Sequence, residues 1–162
     1  TSFEKLDALN LAKAYTTSTF TGFPRIDGKA SPAPNATSIS IDISRAGFNT
    51  SYAYDQVNNR YNRNLAGEPH VDREGGQITP SVVIGLKVDE TTILEDGYRQ
   101  SIVTTGSGEA DIFQNGTVIK ATWTKKDRAS QIVFADETGK EVQLDRGQTW
   151  ISAGPNGQGG IS

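Results

Sequence analysis

Residues 110–124 read Ala-Asp-Ile-Phe-Gln-Asn-Gly-Thr-Val-Ile-Lys-Ala-Thr-Trp-Thr. The pair Asn115-Gly116 stands between two stretches of strand formers, residues 110–113 and 117–124. Asn-Gly is the strongest short-range hairpin signal, because a two-residue turn that follows the twist of antiparallel strands needs positive φ at both central positions. This stretch commits the chain to antiparallel β structure. Within it, Trp123 shares a face with Ile119 and Ala121 and is expected to point inward.

The same period-two pattern extends on both sides. In residues 37–44, Ile39, Ile41 and Ile43 alternate with Ser38, Ser40, Asp42 and Ser44, which predicts a half-buried strand with one wet face. Residues 48–55 alternate again, with Phe48, Tyr52 and Tyr54 on one side, and Ala46-Gly47 provides a turn between the two. A third strand is predicted over 60–65, after the turn formers Asn58-Asn59. Residues 66–80 read as a polar loop. Residues 81–88 form the most apolar strand, and Val82, Val83, Ile84 and Leu86 predict burial on both faces and a central sheet position. Residues 131–135 and 141–144 flank a longer loop at 136–140, and 148–152 make a last short strand. About eight short strands with few helices predict a mainly β domain, an antiparallel sandwich or a partly open barrel.

The first 36 residues differ in character. Residues 1–15 predict one amphipathic helix: Thr1-Ser2-Phe3-Glu4 has capping-box spacing, and Phe3, Leu6 and Leu9 share a face with Leu11 at its edge. The expectation is that this face packs on a core; the alternative is the last helix of a preceding domain. Residues 16–36 form a Pro-rich connector, in which Pro24, Pro32, Pro34, Gly22 and Gly28 oppose regular structure. Phe20, Phe23 and Ile26 are expected to pin its first half, while Ser31-Pro32-Ala33-Pro34 reads as exposed linker. The chain thus divides into a helix and linker (1–36), a β-rich domain (37–153) expected to fold without them, and a Gly-rich tail (154–162) expected to be loose.

Composition excludes several chemistries. The 162 residues contain no Cys, so no thiol nucleophile or disulfide is available, and the single His, His70, rules out a multi-His metal site. No metal or cofactor is expected. With 16 basic and 19 acidic residues, nothing points to nucleic acid as a partner. The longest apolar run is Val82-Val83-Ile84, far short of the ~20 residues of a membrane span. Met is absent even at position 1, the expectation being a processed mature chain or an excised fragment.

Several short motifs follow one another in a fixed order. Tyr54-Asp55 precedes Arg60-Tyr61-Asn62-Arg63, then Gly67-Glu68-Pro69-His70-Val71-Asp72 with Gln77, and the strand Val82-Val83-Ile84. Gly106-Ser107-Gly108-Glu109-Ala110 with Phe113 comes next, then Gly116, Trp123-Thr124-Lys125, Gly139-Lys140-Glu141 and Gly147-Gln148-Thr149-Trp150-Ile151. This ordered set resembles the C-terminal domain of the YerB-like family, bacterial envelope lipoproteins whose two domains have no assigned biochemical function. The resemblance covers roughly residues 37–153. It departs at Pro80-Ser81, where the family usually has Asn. It implies an extracytoplasmic, envelope-attached protein from which this chain is cut, with a larger N-terminal domain upstream. It implies no reaction.

Four constellations carry candidate chemistry. Arg60, Tyr61, Arg63, His70 and Asp72 lie on a strand and the loop after it; converging at one sheet edge, they would make an anion pocket or an acid/base site, His70 being held in one tautomer by Asp72. The plainer reading pairs Arg60 and Arg63 with Asp55, Glu68 or Asp72 to fix the loop. Ser107 is a formal third member of a Ser107–His70–Asp72 triad, though Gly106-Ser107-Gly108 reads first as a bend entering the next strand. Trp150 and Trp123 would suit a cell-wall sugar if exposed, but core packing is the expectation for both. Lys125-Lys126-Asp127-Arg128 reads as a solvated turn, and Asp89, Glu90, Glu95 and Asp96 lack calcium-loop spacing.

These observations predict an exported cell-envelope module with a binding or assembly role and no defined catalytic residues or reaction. Its expected partner is a cell-wall polymer or an envelope protein, with self-association through residues 1–36. The first alternative is a hydrolase or transferase acting on cell-wall material through His70, Asp72 and the arginines. The second is a subunit of an extracellular filament or shell that exchanges residues 1–36 with a neighbour.

Overall fold

A computed structural model describes residues 2–15, 17, 20–93, 95, 97–156 and 160–162. The chain is mainly β, with one helix at its N-terminus and no closed barrel among the described residues. In chain order the elements begin with α1 (Phe3–Ala12), β1 (Arg25–Ile26), β2 (Ser38–Ile41), a 3-10 turn at Ala46–Phe48, β3 (Thr50–Asp55) and β4 (Arg60–Leu65). The short pieces β5 (Glu68–Pro69), β6 (Val71–Asp72) and β7 (Gly76–Gln77) follow, then β8 (Val82–Val88), β9 (Glu90–Thr92) and β10 (Gln100–Ile102). The last are β11 (Gly106–Gln114), β12 (Thr117–Lys125), β13 (Val133–Asp136), β14 (Leu144–Asp145) and β15 (Thr149–Pro155).

The Asn115-Gly116 turn joins β11 to β12 with φ of 60° and 75°, as the hairpin signal requires. The hairpin anchors a five-stranded sheet in the order β13-β12-β11-β8-β15, antiparallel except for the parallel β8–β15 pair. A second sheet, β2-β3-β4-β5, is antiparallel throughout. Val83 and Phe113 on one face of the larger sheet pack with Ile39, Ile41, Tyr52 and Tyr61 of the smaller one. On the opposite face Val82, Ile84, Leu86, Ile112, Trp123 and Phe134 form the other core with Val142 and Leu144. Apolar cover on both sides is why β8 is an almost unbroken apolar run.

Residues 20–36 are part of this fold rather than a free linker. Phe23 packs tilted on Phe134 at 5.8 Å between ring centroids. β1 pairs in parallel with β14, Arg25 opposite Leu144 and Ile26 opposite Asp145. The backbone N–H of Ser31 donates to Asn115 O at 2.9 Å, and those of Asn35 and Ala36 both donate to Gly116 O. The Pro-rich stretch thus exchanges its missing sheet hydrogen bonds for bonds to the hairpin tip.

Two further expectations are corrected. The helix forms, but its cap is Ser2, whose Oγ accepts from the Lys5 N–H; Thr1 lies outside the described residues. No residue of α1 is buried, and Phe3 is 85% exposed, so the apolar face is not covered by any core among the described residues. The tail is in part ordered. β15 runs through Gly154 to Pro155, and Ile161 bridges to Ile41 while Ser40 and Ser162 exchange backbone hydrogen bonds of 2.7 and 3.0 Å. Gly85 is what admits Ile161: a Cβ there would lie 2.4 Å from Ile161 Cδ1.

Because α1 is unpacked and the connector is packed, the two should respond differently to truncation. In dilute solution, removing residues 1–15 is expected to leave the thermal midpoint unchanged, whereas removing 1–36 lowers it sharply. Phe23→Ala, which empties a half-buried aromatic site, is expected to cost about 2 kcal/mol in chemical denaturation.

Candidate functional site

Strand alternation on β4 turns Tyr61 and Arg63 inward and leaves Arg60 exposed at the strand start. Register sets Arg63 opposite Tyr52. Arg63 is only 4% exposed, and its guanidinium lies 4.1 Å from the centroid of the Trp150 ring, with the Tyr52 ring 5.9 Å away. His70 meets Trp150 edge-on at 5.9 Å, and Arg63 Nη1 donates to His70 Nδ1. A guanidinium only donates, so this contact puts the ring proton on Nε2 and selects one tautomer. The buried charge is therefore held by an aromatic face and an imidazole, not by a carboxylate.

This cluster organises the following loop. Arg63 O accepts from His70 N at 3.0 Å and from Gln77 Nε2 at 2.9 Å, and His70 O accepts from Ile78 N. Asp72 does not orient His70. Its Oδ1 instead accepts from the backbone N–H of Glu74 at 2.9 Å, closing an exposed turn.

The other expected members lie elsewhere. Tyr61 is fully buried, and its hydroxyl accepts from Gly116 N at 3.1 Å; desolvation holds its pKa above the usual tyrosine value. Arg60 Nη1 donates to Ser81 Oγ at 3.0 Å and faces a separate cavity. Ser107 is not in a bend but within β11, opposite Thr124 and seven residues along the strand from Gln114, roughly 23 Å. Gln114 in turn pairs with Val82, beside the serine that Arg60 holds. Of the expected set, Arg63 and His70 meet, and no Ser107–His70–Asp72 triad is assembled. Trp123 is buried with Nε1 donating to Lys87 O, and Trp150 is covered by Arg63, so neither offers an open sugar platform.

Two concave places bring together residues that the sequence does not place side by side. The first is an apolar groove of about 590 Å³, walled by Phe20, Phe23, Leu86, Val88, Trp123 and Ile132, with Lys125 and Arg128 at its rim. The second is a polar cavity of about 260 Å³ whose lining includes Asp145, Gly28, Asn58, Asn59, Arg60 and Arg146. Asp145 is 3% exposed and neither carboxylate oxygen makes a hydrogen bond of good geometry, although the Asn115 side chain beside it favours its charged form. Desolvation raises its pKa above the usual aspartate value. Its backbone is firmly held, the N–H donating to Gln114 Oε1 at 3.0 Å and the carbonyl accepting from Arg25 Nη1 at 2.9 Å. Beside it runs an amide relay: the Tyr54 hydroxyl donates to Asn59 Oδ1, and Asn59 Nδ2 to Asn115 Oδ1. Burial, then the charge of Asp145, raises the Tyr54 pKa.

The fold is a mainly β domain with an apolar groove and a polar cavity on its surface. Residues 39–151 match the family model for the C-terminal domain of a protein of unknown function (DUF3048), and the chain belongs to that family. The fold is similar to that of the YerB protein from Bacillus subtilis, with a TM-score of 0.71 and 23% sequence identity. That match covers 94% of this chain and 51% of the other, so the chain spans about half the length of that protein. No curated protein matches the chain.

Two substitutions test the electrostatic account. Arg63→Ala is expected to lower stability by about 2 kcal/mol, the scale of a desolvated cation–π contact, and to shift Trp150 fluorescence. Asp145→Asn has a pH signature. A folded-state pKa above the unfolded value means that, as pH rises through the unfolded pKa of about 3.9, the unfolded chain ionises first and is favoured. Asp145→Asn removes that effect, so its melting temperature should exceed that of the native chain at pH 7, the difference vanishing near pH 3.

Proposed function

We propose that this domain is an exported, envelope-associated binding and assembly module in which α1 of one copy occupies the apolar groove of another. The observation that carries this reading is an unpacked apolar helix tethered beside an open apolar groove. α1 presents Phe3, Leu6 and Leu9 to solvent, and Phe20 of the groove wall follows seven residues after the last turn of the helix. Exposed apolar faces of this kind mark interaction sites.

Asp7 and Lys5 flank the apolar stripe of α1, one on each side, while Lys125 and Arg128 line the groove. The seven-residue tether reaches about 25 Å at full extension, enough to present the helix to a neighbouring copy. A helix laid in a groove through residues spaced three and four apart is a recurring binding mode. The extracytoplasmic location rests on the family resemblance.

Sedimentation of the full chain is expected to give a concentration-dependent dimer. Leu6→Glu with Leu9→Glu should return it to monomer and leave the melting temperature unchanged in dilute solution, where the native chain is itself monomeric. A chain that stays monomeric at every concentration, whether α1 is free or folded back into its own groove, overturns the reading. So does a dimer that the double substitution leaves intact.

A further inference from the structure

We propose that the cavity between Arg60 and Asp145 binds a small zwitterion carrying an ammonium and a carboxylate, the chemistry of a free α-amino acid. The inference rests on how charge is arranged there. Arg146 and Asp27 neutralise one another, Nη1 lying 3.0 Å from both carboxylate oxygens. That leaves one cation, Arg60, and one anion, Asp145, lining the same cavity without forming an ion pair. Arg60 uses Nη1 on Ser81 Oγ and Thr79 O, and its remaining N–H groups have no protein partner. Neither Asp145 oxygen makes a hydrogen bond of good geometry or an ion pair, the Asn115 side chain being the one polar group acting on it.

Opposite charges that share a cavity and do not touch select a ligand with both charges. A bare cation meets the guanidinium group of Arg60; a bare anion meets the buried carboxylate. A zwitterion satisfies both ends, its carboxylate taking the Arg60 fork and its ammonium donating to Asp145. Size agrees: at about 260 Å³ the cavity lies below the roughly 300 Å³ at which pockets for drug-sized ligands begin.

Access runs past Gly28. A Cβ at this position would lie 2.1 Å from Asp145 Oδ1, so glycine alone lets the chain close over the carboxylate. Among the described residues the stretch from Gly28 to Ala30 makes no backbone hydrogen bond, although it is tethered before by the β1–β14 pair and after by Ser31 N–H on Asn115 O. It can lift from the carboxylate without breaking a backbone hydrogen bond.

The test is titration of the full chain by NMR chemical shift with glycine, acetate and methylammonium as separate probes. Glycine is expected to bind in the millimolar range, and acetate and methylammonium about tenfold more weakly or not at all. Asp145→Asn and Arg60→Gln should each weaken glycine binding by about tenfold or more, with melting curves showing that both variants fold. Acetate binding as tightly as glycine, glycine binding untouched by Asp145→Asn, or no response to glycine at any concentration overturns the proposal.

Discussion

The tip of the β11–β12 hairpin is the joint on which the rest of the molecule converges. Once Asn115 and Gly116 adopt positive φ, their backbone groups point outward from the turn and are taken by three separate parts of the chain. Ser31, Asn35 and Ala36 of the connector donate to the two carbonyls. Tyr61 of the smaller sheet accepts from the Gly116 N–H, and Asn59 donates to the Asn115 side chain. Space is as constrained as hydrogen bonding: a Cβ on Gly116 would sit 2.4 Å from Tyr54 and 2.7 Å from Pro34. A local turn preference, worth little alone, thereby sets how the connector and the second sheet meet the first.

Local patterning made most of the sheet structure legible. Alternation of isoleucines and serines marked β2, tyrosines marked β3, and the apolar run marked β8, because side-chain period and one-sided or two-sided burial are properties of a few adjacent residues. What could not be read depends on distant partners. β1 is two residues long and pairs with β14 at a separation of 119 residues, so no local pattern announces it. The helix shows the converse: its periodicity correctly indicated α1, but periodicity says only that an apolar face exists, not what covers it. The Gly-rich end, expected to be loose, is held because Ile161 finds the room that Gly85 leaves.

The same distinction applies to the site residues. Arg63 and His70 meet because β4 leads directly into the loop that carries His70, a proximity visible in the sequence. Trp150, which completes their cluster, comes from the far end of the chain, and its sequence context suggests a core residue or a sugar platform rather than a partner of Arg63. Asp145 was not singled out at all. Its neighbours Leu144 and Arg146 make it look like an acid at a strand end, and its burial arises from Gly28 and Gln114, far away in sequence.

Three buried charged side chains show three solutions, and the contrast gives the last step of the argument. Asp111 is paired with Lys120 at 2.8 Å, so its charge is compensated in place. Arg63 is covered by Trp150 and His70, which spread its charge over soft, polarisable groups. Asp145 has neither device, yet its backbone is fixed from both sides and a glycine is reserved to close over it. A buried carboxylate without a partner costs stability, and an asparagine in its place would avoid that cost. Rigid placement of a destabilising group, beside a cavity that also carries an arginine, is the pattern of a site built for a ligand rather than for folding. The unpacked helix follows the same logic at larger scale, because its exposed apolar face adds nothing to the stability of the isolated chain. In both places this domain departs from what folding alone favours, and those departures mark where its partners are to be sought.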